Sequence, residues 1–285
     1  MNAPQATMRE HVLVPAEDPG MPAHSVRFLL LGPLEVLDGR RNWTPRANKL
    51  RVLLAILLVR GNTVVSTDTL ISELWGDKPP RTAMKALRVY VSQLRRIFDA
   101  LTASGPPVIV TRDPGYRLEI DDDSLDANQF ERLCERGRAA CDGGDMERAL
   151  RHYREAAGMW KGSALVDVRS SPLLEAAALR LEESRIFALE RRIDLELRLG
   201  GHAEAISELR ALVREHPLNE RIHAQLMVAL SLAGRRKDAL EAYRGLRGAF
   251  VEDLGVEPSR DLKLLHQEIL EADDRAPLRW ESWAR

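Results

Sequence analysis

Arg81, Lys85, Arg88, Ser92 and Arg95 recur at steps of three and four along Pro79 to Asp99, with Arg96 beside them. At helical spacing such residues share one face. No carboxylate interrupts the row before Asp99. Guanidinium and ammonium groups in a row do not make or break bonds; they bind a polyanion. Solvated faces usually mix charge signs, and this one does not. It is therefore a candidate for insertion into a nucleic-acid groove. A helix of ~19 residues spans roughly 28 Å, and its side chains can enter a major groove ~12 Å wide. Arg88 and Arg95 are the candidates for bidentate contact to guanine. Thr82, at the helix start, is a candidate phosphate donor. Ala83, Leu87, Tyr90, Val91, Leu94 and Phe98 form the other stripe, which a core must cover.

Other chemistry has little support. There is no Gly-rich phosphate loop followed by Lys-Ser/Thr, no G-x-S-x-G and no H-E-x-x-H. His216, Glu220 and His223 have helical spacing, but His216 precedes Pro217 at an expected helix end and no further metal ligand accompanies them. Neither an enzyme nor a cofactor is expected. Cys134 and Cys141 are the two cysteines, seven apart on one expected helix, too distant for a disulfide and without metal spacing. They read as reduced thiols, mostly small core residues.

The chain has 285 residues, 45% hydrophobic and 30% charged, enough for about two soluble domains. No apolar run approaches the ~18 residues of a membrane span, and no secretory signal is visible in the first 25. Residues 1–25 read as a flexible leader. The formal net charge of −1 hides a division: 26–120 holds 15 Lys/Arg against 8 Asp/Glu, and 121–285 holds 26 against 32. Affinity for nucleic acid is expected in the first half.

The elements around the basic stripe follow from local chemistry. Val26 to Leu31 and Leu34 to Leu37 are short β runs, and Asp38-Gly39 is a hairpin signal. Thr44 and Pro45 are expected to open a helix with Leu50, Leu53, Leu54, Leu57 and Leu58 inward, ended by Gly61. Arg46, Lys49 and Arg51 crowd its start, where the helix dipole prefers acids; phosphates nearby would attract them. Arg46 and Lys49 are candidate backbone contacts. Ser66 should cap a second helix over Thr67 to Trp75, stopped by Gly76. Val108 to Thr111 and Tyr116 to Ile120 read as a hairpin with Arg112 near its tip and Tyr116 packed beneath.

From about Leu125 the pattern is helical and repetitive. Gly200, Ala205, Leu209, Leu212 and Pro217 have the offsets of the second half of a tetratricopeptide unit. Gly234, Ala239, Tyr243 and Leu246 repeat them 34 residues later, and Gly144, Ala149, Tyr153 and Ala156 earlier. The glycine permits the inter-helix turn; the alanine lets two helices approach. Residues 273–285, with Trp280 and Trp283, match no pattern.

The expected fold is mainly α. A winged helix-turn-helix over 26–120, with a small sheet, three helices and a hairpin wing, precedes a tetratricopeptide-like all-α domain over 125–272. The element order, with LWGDKPP at Leu74 to Pro80, VSQLRR at Val91 to Arg96 and TRDPGYRL at Thr111 to Leu118, resembles the OmpR-type DNA-binding domain of Streptomyces antibiotic regulatory proteins. ALVDVRSSP at Ala164 to Pro172, HPLNERIHAQLMVAL at His216 to Leu230 and DLGVEP at Asp253 to Pro258 resemble their bacterial transcriptional activation domain. The resemblance implies an activator of secondary-metabolite genes on double-stranded DNA, binding direct repeats near the −35 element. It also implies two protomers side by side and recruitment of RNA polymerase with its sigma factor, in the cytoplasm at the nucleoid. It implies a minor-groove or phosphate contact for Arg112. The loop with Asp77 and Lys78 is either a polymerase contact or a rigid Pro-rich turn. A protein–protein adaptor and a ligand-sensing regulator remain as alternatives.

Overall fold

The computed structural model describes residues 26–101 and 108–271. The expected leader, the Gly/Pro break around 104–107 and the Trp-containing tail lie outside these residues.

The first hairpin follows its turn chemistry. β1 (Val26–Leu29) pairs antiparallel with β2 (Glu35–Asp38), which turns through Gly39, at φ 57°, into β3 (Arg41–Asn42). α1 runs over Asn48–Val59, later than Thr44 suggests. Thr44 is not the cap: its hydroxyl accepts the Val36 N–H at 2.9 Å and closes the sheet instead. Buried residues from Leu50 through Leu58 make α1 the central rod of this half.

β4 (Val65–Ser66) is too short to be legible in sequence. α2 (Thr67–Trp75) follows, with the Ser66 hydroxyl accepting the Thr69 N–H at 3.1 Å. α3 covers Ala83–Asp99, so Arg81 and Thr82 precede it. β5 (Val108–Arg112) and β6 (Gly115–Glu119) form the wing, and β4 extends it on the β6 side. Gly115 is required there: a Cβ would lie 1.8 Å from the Val65 carbonyl oxygen. Tyr116 is buried beneath the wing, as expected.

After a 3-10 turn at Asp122–Ser124 come α4 (Asp126–Asp142), α5 (Met146–Gly158), α6 (Pro172–Arg198), α7 (His202–Glu215), α8 (Glu220–Leu232) and α9 (Arg236–Ala249). A π-helical segment, Phe250–Leu254, leads to α10 (Arg260–Glu271). The repeated glycines sit at inter-helix turns, with φ of 78° at Gly144, 90° at Gly200 and 72° at Gly234. L-residues rarely adopt that region. Ala149, Ala205 and Ala239 are all buried where the helices meet. Cys134 is buried, and desolvation pushes its thiol up to about 11. Cys141, on the same helix, is exposed rather than part of the core.

One hydrophobic core begins at Val26 and continues without a break through α4, α5 and much of α6 to Leu195. A second includes Ile193 and Leu197 and extends to Ile269. Packing therefore joins the winged helix to the first repeats. The Asp126 carboxylate accepts Leu30 N–H at 2.8 Å and Leu31 N–H at 3.1 Å. The Lys161 and Leu165 amides donate to the Leu31 and Leu30 carbonyls at 2.8 and 3.0 Å. Asp167 accepts the Leu34 N–H at 3.0 Å and pairs with Arg51, whose position at the start of α1 is thus compensated by protein. The Glu73 carboxylate accepts the Leu173 N–H at 3.1 Å, joining α2 to α6.

Candidate nucleic-acid interface

α3 is positioned by its inner stripe. Ala83, Leu87, Val91, Leu94 and Phe98 are buried, and the Phe98 ring meets Phe28 edge-on at 6.2 Å. Trp75 and Tyr90 stack at 6.1 Å and 19°, pinning the end of α2 to α3 across the Gly76 to Pro80 loop. Asp77 and Lys78 are exposed on that loop.

The outer face presents Lys85, Arg88, Ser92 and Arg96 to solvent, with Arg81 and Thr82 exposed in the turn before it. Thr82 occupies the N-cap position, yet its side chain makes no cap hydrogen bond, and no acid sits in the first turn. The N-terminal amides and the hydroxyl are both compatible with an anion.

Two of the expected DNA contacts, Arg95 on this face and Lys49 on α1, are held by the protein itself. The Arg95 Nε donates to the Ile109 carbonyl at 2.8 Å and its Nη2 to the Thr111 hydroxyl at 2.9 Å. This guanidinium fastens α3 to β5. The periodicity placed Arg95 in the basic row, with Arg88 as a candidate for guanine; the register of the wing against α3 decided its use. Lys49 donates from Nζ to the Leu74 carbonyl at the end of α2, and the ammonium lies 5.9 Å from the Trp75 ring centre. Arg46 remains exposed before α1, and Arg112 remains exposed at the end of β5.

If Arg95 fastens the wing, Arg95→Ala removes two hydrogen bonds, one to the carbonyl of buried Ile109, and should lower stability by about 1–3 kcal/mol. A denaturant melt without DNA measures that loss. An unchanged midpoint would return Arg95 to the DNA-facing set.

The basic row and its hydroxyl neighbours Ser92 and Thr82 did not mark three further exposed residues of α3. Met84, Val89 and Gln93 are exposed on α3, Val89 at 46%. At 100° per residue, Val89 lies beside Arg96 and Lys85 at the rim of the same face. An exposed β-branched residue amid cations was the available signal.

Comparison with known proteins agrees with this architecture. Residues 44–118 match the family model described as transcriptional regulatory protein, C terminal, and residues 125–270 match the bacterial transcriptional activator domain. The chain is 43% identical to the regulatory protein DnrI of Streptomyces peucetius over 249 residues, 86% of this chain and 92% of that protein. It is 36% identical to the regulatory protein AfsR of Streptomyces griseus, covering 90% of this chain but 26% of that longer protein. The solved structure of Mycobacterium tuberculosis EmbR in complex with a low-affinity phosphopeptide aligns with a TM-score of 0.83 at 33% identity, over 91% of this chain and 68% of that one. The two matched domains in this order, on a mainly helical fold with a winged helix-turn-helix, place the chain in the Streptomyces antibiotic regulatory protein family of transcriptional regulators.

Proposed function

We propose that the protein is a DNA-binding transcriptional activator for a secondary-metabolite gene cluster. It lays α3 in the major groove of direct repeats near the −35 element and recruits RNA polymerase through contacts that include the sigma factor. The observation that carries this reading is the outer face of α3: exposed Arg88, Lys85, Ser92 and Arg96 with no acid among them. Arg88 would take guanine O6 and N7, Gln93 adenine, and Val89 would meet a thymine methyl, by the donor and apolar chemistry of their side chains. Arg81, Thr82, Lys85 and Arg96 flank them as phosphate or base contacts. Arg46 would touch the backbone from the start of α1, and Arg112 a phosphate or the minor groove from the wing.

Direct repeats place two protomers in the same orientation, side by side. Asp77 and Lys78, on the loop pinned by the Trp75–Tyr90 stack, are the proposed polymerase contact. The proposed site of action is the cytoplasmic nucleoid; no helix among the described residues is long and apolar enough to cross a membrane.

The test is footprinting on promoters adjacent to its own gene, with and without RNA polymerase. The expected result is two protected repeats of equal orientation, with protection extending when polymerase is added. Protection of a palindrome, or none, would overturn the reading. Protected repeats without polymerase extension would remove recruitment alone.

A further inference from the structure

A reading helix must be turned correctly about its own axis as well as brought to the groove. Apolar burial sets which side of α3 faces the core, but it is non-directional and leaves the roll loosely defined. Directional contacts on the two flanks of α3 define it further. Tyr90 and Arg95 are five residues apart, so at 100° per residue they point about 140° apart. They border the buried stripe of Ala83, Leu87, Val91, Leu94 and Phe98 on opposite sides, and the basic face lies on the opposite arc. Arg95 is tied to the wing by its two hydrogen bonds. The flank of Tyr90 is held by other groups.

These groups come from α1 and α2. Tyr90 stacks on Trp75, the last residue of α2, with ring centres 6.1 Å apart and planes at 19°. The Lys49 ammonium, from α1, lies 5.9 Å from the Trp75 ring centre. Its Nζ also donates to the carbonyl of Leu74, in the last turn of α2, where carbonyls have no partner within the helix. A cation there meets the negative end of the helix dipole and the face of the indole together. Three helices thus join in one lateral tie. The connection from α2 to α3 gives little anchorage of its own: each residue from Gly76 through Thr82 is exposed, and Thr82 makes no cap hydrogen bond.

We propose that Lys49, Trp75 and Tyr90 are positioning residues that set the roll of α3 in the major groove without themselves touching DNA. The assignment rests on the DNA-binding reading of α3. A helix with its side chains is roughly 10–12 Å across, so a roll of about 20° carries side-chain ends about 2 Å, enough to break the bidentate bonds that read a base. Contacts to phosphate carry no sequence information, and long cationic chains follow a continuous row of charge through such a displacement. The tie therefore acts on selection among sequences and leaves affinity for DNA in general unaltered.

The test compares full-chain variants on the footprinted operator duplex and on a scrambled duplex of equal length, by fluorescence anisotropy. Tyr90→Leu removes the ring but keeps an apolar, helix-forming side chain, and Lys49→Met removes the ammonium but keeps the stem. Each should weaken operator binding about tenfold, with binding to the scrambled duplex and its salt slope unchanged. Tyr90→Phe and Lys49→Arg keep the ring and the cation and should retain the wild-type preference. Wild-type operator affinity in folded Tyr90→Leu or Lys49→Met would overturn the proposal; should Tyr90→Leu not fold, Lys49→Met decides. Equal loss on both duplexes in Lys49→Met, with a salt slope reduced by about one, would also overturn it, because that is the signature of a phosphate contact. Hydrogen exchange without DNA separates failure of the tie from failure of the DNA-binding reading. Amides of residues 81–88 should exchange faster in Tyr90→Leu and Lys49→Met than in wild type or Tyr90→Phe. If the wild type prefers no duplex, the DNA-binding reading falls; faster exchange would still support the tie among the three helices, and unchanged exchange would overturn it.

Discussion

Raising salt from 50 to 200 mM should lower the affinity of this protein for its operator by roughly a thousandfold, read by fluorescence anisotropy. The estimate takes about six neutralised phosphates, and each cation that replaces condensed counterions steepens the slope. Arg46, Arg81, Lys85, Arg88, Arg96 and Arg112 are the exposed cations among the candidate contacts. Individual substitutions should separate their roles. Arg88→Ala should cost on the order of 1–3 kcal/mol and relax preference at one base pair. Arg96→Ala should weaken all sequences alike and reduce the salt slope by about one. Lys49→Ala should leave the slope unchanged, because its ammonium is engaged at the end of α2. A flat salt dependence would sink the groove-binding reading, and normal site selection by Arg88→Ala would sink the face assignment.

The second large effect concerns the seam at Asp126. Asp126→Ala leaves the Leu30 and Leu31 amides without their acceptor and should destabilise the whole chain by about 2–5 kcal/mol. The carboxyl also carries a pH signature. Desolvation raises it from 3.8 to about 6, against the opposing pull of the Leu30 and Leu31 hydrogen bonds. The folded state therefore holds this proton more tightly than the unfolded state. Its stabilising contribution is complete below about pH 4 and is lost as pH rises through 6, an effect of roughly 3 kcal/mol. Asp126→Asn cannot titrate there. The stability difference between wild type and Asp126→Asn should thus shift toward the variant between pH 4 and 7 in urea melts. A difference that stays constant with pH would show that this carboxyl does not gain a proton on folding.

The division between what was legible and what was not follows from the range of the forces. Short-range chemistry is written in neighbouring residues: the Ser66 cap, the Gly39 hairpin, the inner stripe of α3 and the repeated glycines of the helical half all appear where their local rules put them. Thr44 looked like a cap because its local preference is ambiguous; a sheet amide eight residues earlier claimed its hydroxyl. Partners distant in sequence were invisible. Arg51 was matched with phosphate because Asp167 lies 116 positions away, and Arg95 was assigned to DNA because the register of β5 could not be read from spacing. Charge marked the cations of the reading face but not Val89 or Gln93, whose exposure depends on how α3 is seated.

α6 belongs to both cores. Its 27 residues span about 40 Å, and near its end Leu195 packs into the first core while Ile193 and Leu197 pack into the second. Such a helix leaves no swivel between the part that would read DNA and the part that would meet other proteins. On tandem sites, each protomer would then behave as a ruler of fixed phase. An insertion of five base pairs turns one site about half a helical turn from its neighbour, and the core shared through α6 would resist a rotation that followed it. Promoter spacing, and not only promoter sequence, would be part of what this molecule recognises.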